Sequence, residues 1–175
     1  MNIFVVNFDP ALAAQQLPDK YSVKMPLETC QMVSIIFSEW YHNWGVIHKS
    51  DGQPYSTKKG AFRNHPCTQW AASKYENLAW LISHGWHLCN EYKYRYGKTH
   101  ACEKTLKESV LIFNHKSGMS MYDWNKATDF VRAMPDELKL DDTIDTFTAY
   151  RKYVASKPWV KDNYLRDPSR KPSWV

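Results

Sequence analysis

Between Tyr75 and Cys89 the apolar residues Tyr75, Leu78, Ala79, Ile82, Trp86 and Cys89 recur in steps of three and four, and Gly97 supplies a stop downstream. That period belongs to one face of an α-helix, and it predicts a long helix over about Thr68–Tyr96. Met25, Met32, Val33, Ile36, Phe37 and Trp40 repeat the pattern, predicting another long helix over about Met25–Trp44, with Pro26 tolerated in its first turn. Only residues 2–8, NIFVVNF, read as extended chain, closed by Asp9-Pro10. With no second convincing strand to pair with, this segment is expected to lie against helices.

Shorter elements fill the remainder. Pro10 follows Asp9 in the order of an N-cap and first helical residue, so residues 10–16 read as a short helix. Residues 45–63 contain three glycines and no sustained period, and read as a long loop. Further helices are expected over about His100–His115 and Asp123–Arg132, with a last one capped by Asp141 or Asp142 and ending near Ser156. The expectation is an all-α fold: a compact single-domain helical bundle over residues 1–175, with two long helices and a short extended N-terminal segment.

Charge is uneven. Residues 151–175 hold seven basic residues against Asp162 and Asp167, a net +5 that equals the charge of the whole chain. A basic tail carrying Trp159, Tyr164 and Trp174 suits a phosphate backbone with stackable bases. It equally suits a solvated tail whose aromatics pack on the body. No run of eighteen apolar residues occurs, and the start lacks the parts of a signal peptide, so a soluble, intracellular, cytoplasmic protein is expected. Cys30, Cys67, Cys89 and Cys102 are then expected to be reduced.

Several chemistries are disfavoured. His65/Cys67, His87/Cys89 and His100/Cys102 invite a metal, yet residues two apart on a helix point about 200° from each other. No Cys-x-x-Cys, Gly-x-Ser-x-Gly or phosphate-loop pattern is present. Glu91 and Arg95 have the favourable spacing of a helical ion pair, on a side shared with Trp80, His84 and His87 that lies opposite the buried stripe. Lys24 and Glu28 share the spacing in reverse order, and Glu28 falls at the rim of the core. The stretch RNHPCTQW gathers Arg63, Asn64, His65 and Trp70. It reads either as a site or as a loop turning into a helix at Pro66 while Trp70 packs.

Five segments in collinear order carry a resemblance: AAQQLPDKY (13–21), KMPLETCQM (24–32), FRNHPCTQW (62–70), YENLAWLISHGWHLCNEYKYRYGKTH (75–100) and MPDELKLDDTIDTFTAYRKYVASKPWVKDNY (134–164). Together they resemble the small phage pyrimidine-dimer DNA glycosylases of the endonuclease V type and their bacterial relatives. The resemblance implies an all-α, monomeric protein that binds double-stranded DNA, extrudes a nucleotide and cleaves its glycosidic bond, with no metal, cofactor or membrane. It also implies an α-amine at the chain start that attacks the deoxyribose to give an imine, a carboxylate that assists, and β-elimination that nicks the strand. As a class, α-amines titrate at about 7.7–8.0 against about 10.4 for lysines, which suits them to attack near neutral pH.

Carried over, Met1 supplies the amine and Glu28 the carboxylate. Lys24, Arg63, Asn64, His65, Trp70, Glu91, Arg95, Arg166, Arg170 and Lys171 are the expected DNA or substrate contacts. The chain departs from the pattern at Asn2-Ile3, where the phage enzymes have a small residue and then a basic one. It departs again at the first-helix histidine, whose place falls near Gln16 or Tyr21. A non-catalytic DNA-binding module, an enzyme on modified bases or free nucleotides, and a helical protein-interaction surface are the other uses open to such a scaffold.

Overall fold

The computed structural model describes residues 1–175 as seven α-helices with three single 3-10 segments and no strand. In chain order the helices are α1 (Pro10–Gln16), α2 (Asp19–Phe37), α3 (Pro66–Ser73), α4 (Tyr75–Tyr96), α5 (Glu103–Ser117), α6 (Asp136–Lys139) and α7 (Thr146–Ala155). The all-α expectation holds. No helix is long and apolar enough to cross a membrane.

α2 and α4 form the centre. Their crossing is close because position 85 has no side chain: a Cβ there would lie 2.6 Å from Cγ2 of Thr29. Glu28 is the neighbour of that contact, so the tight crossing fixes its height on the bundle. Apolar side chains from α1, α2, α4, α5 and α7 join one continuous core around Leu17, Ile36, Leu78, Trp80, Phe113 and Tyr150.

The first eight residues are not the extended segment the sequence suggested but an irregular stretch, tightly turned where the Val6 N–H bonds the Phe4 carbonyl and bent from residue 6, and Asn2 to Val6 are buried. Their backbone is held by side chains instead. Trp80 Nε1 donates to the Phe8 carbonyl at 2.7 Å and Arg151 Nε to the Val6 carbonyl at 2.8 Å. Phe4 takes a left-handed φ of 39°, where its ring stacks on Tyr21 at 4.3 Å.

Helix limits differ from the periodicity at several places. α2 starts at Asp19, which leaves Pro26 inside it, and ends at Phe37 rather than Trp44. There Ser38 Oγ bonds the Ile35 carbonyl and Asn43 turns left-handed, so the chain folds back and both the Trp44 and Gly45 N–H groups return to the Phe37 carbonyl. The expected single helix from Thr68 to Tyr96 breaks at Lys74, where the backbone is extended. Asn77 causes the break by reaching back to the Trp70 carbonyl and Ser73 Oγ while accepting from the Thr128 N–H, a competition between side chain and helix ladder.

The expected fourth helix is only a 3-10 segment, Met121–Lys126, after which residues 127–134 run without regular structure along α3 and α4, with Asp129 left-handed. The last helix is capped by Asp145, which accepts the Thr148 N–H at 2.6 Å; Asp141 closes a preceding turn onto Thr143. Covering by the N-terminal segment and the 127–134 stretch also buries the side of α4 that its period turned outward. Trp80 and His84 lie fully inside, stacked at 4.7 Å, whereas Tyr75 from the expected buried stripe is 39% exposed.

Candidate active site

Asn2 makes the site possible. Its side-chain oxygen accepts the N–H groups of Ile3 and Phe4 at 2.7 and 3.1 Å, and its amide nitrogen donates to the Ala133 carbonyl at 2.6 Å. These bonds coil the first residues against the bundle and aim the chain start at α2. Nothing in the sequence pattern marks Asn2 for this role, because its three partners are backbone groups.

Glu28 receives the chain start. Oε2 accepts the Asn2 backbone N–H at 2.9 Å and lies 3.6 Å from the Met1 amine, beyond hydrogen-bonding distance but within ion-pair range. Oε1 lies 3.2 Å from Lys24 Nζ, one helical turn earlier on an exposed side chain. Two nitrogen cations and one backbone donor therefore converge on a carboxylate that is only 8% exposed. Such a group can take a proton from an amine and then face a cation, the pairing an amine nucleophile needs.

His65 caps α3 beside this centre. Its Nδ1 accepts the Cys67 N–H at 3.1 Å, which leaves the proton of the neutral ring on Nε2, and the ring lies next to the Met1 backbone. Burial pulls its pKa below the ordinary histidine value and the amino-terminal charge pulls the same way, against an upward pull from Glu28. Thr68 Oγ1 reaches the Met1 sulfur at 3.9 Å, and Cys67 behind it is pushed up to about 12 by burial. Tyr21, near the place of the missing first-helix histidine, feels the Glu28 charge. Burial first, then Tyr153 and Glu28, hold its hydroxyl protonated with a pKa of about 12.

The RNHP corner divides. Asn64 is exposed with its side chain open to solvent, and His65 meets the chain start. Arg63 is stacked on the Trp40 ring at 4.4 Å and donates to the Lys59 and Gly60 carbonyls, remaining half-exposed. Gly60, at φ +61, must be glycine because a Cβ would strike Trp40 and Arg63 at 2.6–2.9 Å. Trp70 is buried with its N–H donated to the Thr128 carbonyl at 2.8 Å, so it packs rather than contacts a ligand.

Glu91 and Arg95 lie elsewhere, at the far end of α4. Arg95 is sealed, with bonds to Glu91, Asp19 and the carbonyls of Leu17 and Gln15 at 2.8–3.2 Å. Arg170 completes the group with Nη2 2.9 Å from Glu91, and Asp19 accepts the backbone N–H groups of Leu165 and Arg166. This is a clamp that ties α1, α2, α4 and the tail together, which leaves neither Arg95 nor Glu91 free to reach a phosphate. The tail packs on α4 as its aromatics allowed: Arg166 and Arg170 stack on Tyr96 and Tyr94, and Lys171 bonds the Lys161 carbonyl. The expected cluster of DNA contacts thus separates into one group at the chain start and another that holds the fold.

Two of the three His-x-Cys pairs prove to be the same local device. His65 Nδ1 accepts from Cys67 N and His100 Nδ1 from Cys102 N, each at the start of a helix.

Residues 1–104 match the family described as pyrimidine dimer DNA glycosylase. The match spans more than half of the chain, and the chain belongs to that family. It includes Met1, Lys24, Glu28 and His65 and stops short of the tail. No curated protein and no solved structure matches the chain.

Proposed function

From membership of the pyrimidine dimer DNA glycosylase family, we propose that this chain is a DNA N-glycosylase acting on damaged or modified pyrimidines in double-stranded DNA, with an amine at the chain start as nucleophile and Glu28 as its partner. The observation that carries the reading is the 3.6 Å between the Met1 amine and Oε2 of Glu28 inside a largely buried corner. A target base inside a duplex must first be turned out of the stack to bring its sugar to that corner. The unprotonated amine then attacks C1′ of the deoxyribose, and the bond to the base breaks. Glu28 takes the proton that the amine gives up and passes it to O4′ as the C1′–O4′ bond breaks and the sugar ring opens, and the carboxylate then faces the positive iminium that results. Loss of a C2′ proton from this imine opens a route to β-elimination of the 3′ phosphate, which nicks the strand.

The geometry tolerates either form of the chain start. Removal of Met1 would expose the Asn2 nitrogen, which already lies 2.9 Å from the same carboxylate oxygen. Lys24, half-exposed Arg63, Asn64 and His65 are the side chains on this corner that can meet a phosphate or the extruded nucleotide. Burial lowers the His65 pKa, which suits the ring to pack against the Met1 backbone or a base more than to pair with a phosphate.

The test is incubation with ultraviolet-irradiated and with abasic duplexes in the presence of borohydride, which reduces an imine to a permanent link. Covalent protein–DNA adducts are expected with both, and acetylation of the amino terminus is expected to remove them. Intact strands and no adduct on either duplex would overturn the reading.

A further inference from the structure

Positions 28 and 30 point about 200° apart on α2, so Cys30 faces away from the corner that holds Glu28. There it meets Cys89 of α4 and Cys102, the residue before α5, in a small cluster with Leu106, Trp86 and Tyr55. No three His, Cys, Asp or Glu side chains of the protein are grouped to hold a metal ion. The three thiols differ in access. Cys30 and Cys89 are sealed at 0% and 1% exposure, whereas Cys102 is 7% exposed. Cys102 also lines a cleft of about 430 Å³, walled by Leu27, Gln31, Tyr55, Phe62 and Thr105.

The surroundings of Cys102 favour its thiolate. The neighbouring Cys30 thiol is the largest influence on Cys102: it lowers the Cys102 pKa despite burial, and the Cys30 pKa is raised in turn. His100 adds to the effect. Its Nε2 lies 2.9 Å from the Val23 carbonyl, which can only accept, so Nε2 holds one proton. Nδ1 is unprotonated and accepts the Cys102 backbone N–H at 3.0 Å. Burial works against a charge on the ring, but the neighbouring Cys102 thiol and the Val23 carbonyl outweigh it and raise the His100 pKa. Cys89 meets Cys102 only through space, with its own thiol held protonated chiefly by burial.

We propose that Cys102 and Cys30 form an oxidisable pair, in which a hydroperoxide entering the cleft oxidises Cys102 and Cys30 then closes a disulfide between α2 and the start of α5. In the first step the Cys102 thiolate attacks the peroxide oxygen and the O–O bond breaks. Cys102 becomes a sulfenic acid, and the leaving oxygen takes a proton to become water or an alcohol. In the second step the Cys30 sulfur attacks the Cys102 sulfur, the S–O bond breaks, and the hydroxyl leaves as water with the Cys30 proton. Two electrons pass from the two thiols to one peroxide, which is the only oxidant needed.

The inference is independent of the glycosylase reading, because its readouts are mass and thiol reactivity. Native reduced protein is treated with limiting hydrogen peroxide, alkylated, weighed intact and mapped by peptide. The expected result is loss of two hydrogens and a Cys30–Cys102 linked peptide; a bridge from Cys102 to Cys89, or oxidation that begins at Cys67 or Cys89, overturns the proposal. In a second measurement on the same protein, iodoacetamide at pH 6 should label Cys102 at least about tenfold faster than Cys67 or Cys89. Equal rates contradict it. In a Cys30→Ser chain, dimedone should trap the sulfenic acid on Cys102, and trapping on another cysteine instead contradicts it.

Discussion

Glu28 on α2 and Glu91 on α4 are buried to nearly the same depth, 8% and 6% exposed, and each lies among nitrogen cations. Their surroundings are nevertheless opposite in kind. Glu91 belongs to a closed set in which Arg95, itself sealed, bonds Glu91, Asp19 and two backbone carbonyls, with Arg170 covering the outer edge. Glu28 faces an amine that stands 3.6 Å away without a hydrogen bond, and a lysine that is largely in solvent. Burial of a carboxylate therefore does not mark a reactive centre. What distinguishes the two is whether the cationic partners have all their donors matched, since a saturated network specifies packing while a loosely held amine can give up a proton and so expose a lone pair.

The contrast breaks most visibly at Glu28. Glu28→Gln keeps the shape and still accepts the Asn2 N–H, so the melting temperature should hardly move. The rate of borohydride trapping should fall by about 10²–10⁴-fold, the usual worth of a positioned proton acceptor. Measuring trapping and melting side by side checks both halves; a large fall in melting temperature would make Glu28 a fold residue like Glu91. The reverse pattern is expected for Arg95→Met. It strands Glu91 and Asp19 without their main cation and should cost about 3–5 kcal/mol in denaturant unfolding, with trapping unimpaired wherever the protein stays folded.

Acid offers a third separation. His84, fully buried against Trp80, is pushed down to about 3 by burial, against about 6.5 in an unfolded chain. Between those values the unfolded state binds the extra proton and the folded state does not. Stability is full above pH 6.5 and falls by about 1.4 kcal/mol per pH unit below it, amounting to about 2 kcal/mol at pH 5. Unfolding curves at pH 7 and pH 5 for the native chain and for His84→Gln, whose loss of stability between the two should be smaller by about 2 kcal/mol, test this. Any loss of trapping above pH 6.5 then belongs to the Glu28 corner rather than to the fold. The smallest effect is expected at Arg170→Ala, about 1 kcal/mol, because that ion pair is partly open to water. Limited proteolysis should show the tail loosened from α4, with trapping unchanged.

Glu28 could be found in the sequence because its place beside the apolar stripe of α2 is a local, periodic fact. The chain start next to it could not, since Asn2 is anchored through the Ala133 carbonyl and the N–H groups of its own neighbours, contacts that no spacing encodes. Arg95 misled for the same reason. As an i,i+4 partner of Glu91 it looked like a solvated helical pair, but its other acceptors arrive from residues 15–19, far away in sequence. The two long helices were legible from their period, whereas the break at Lys74 depends on Asn77 and the irregular 127–134 stretch. Arg63 and Trp70 in one octet fared differently, one stacked near the surface and the other a core residue, because a loop's composition does not say which way each side chain turns.

The most direct test is to digest the borohydride-trapped protein–DNA adduct and identify the modified residue by mass. Two amines approach Glu28, so the question has a sharp form. The account predicts the deoxyribose remnant on the α-amine of the first residue, Met1 or, after its removal, Asn2. A remnant on Lys24 Nζ, or on any residue away from Glu28, would contradict it.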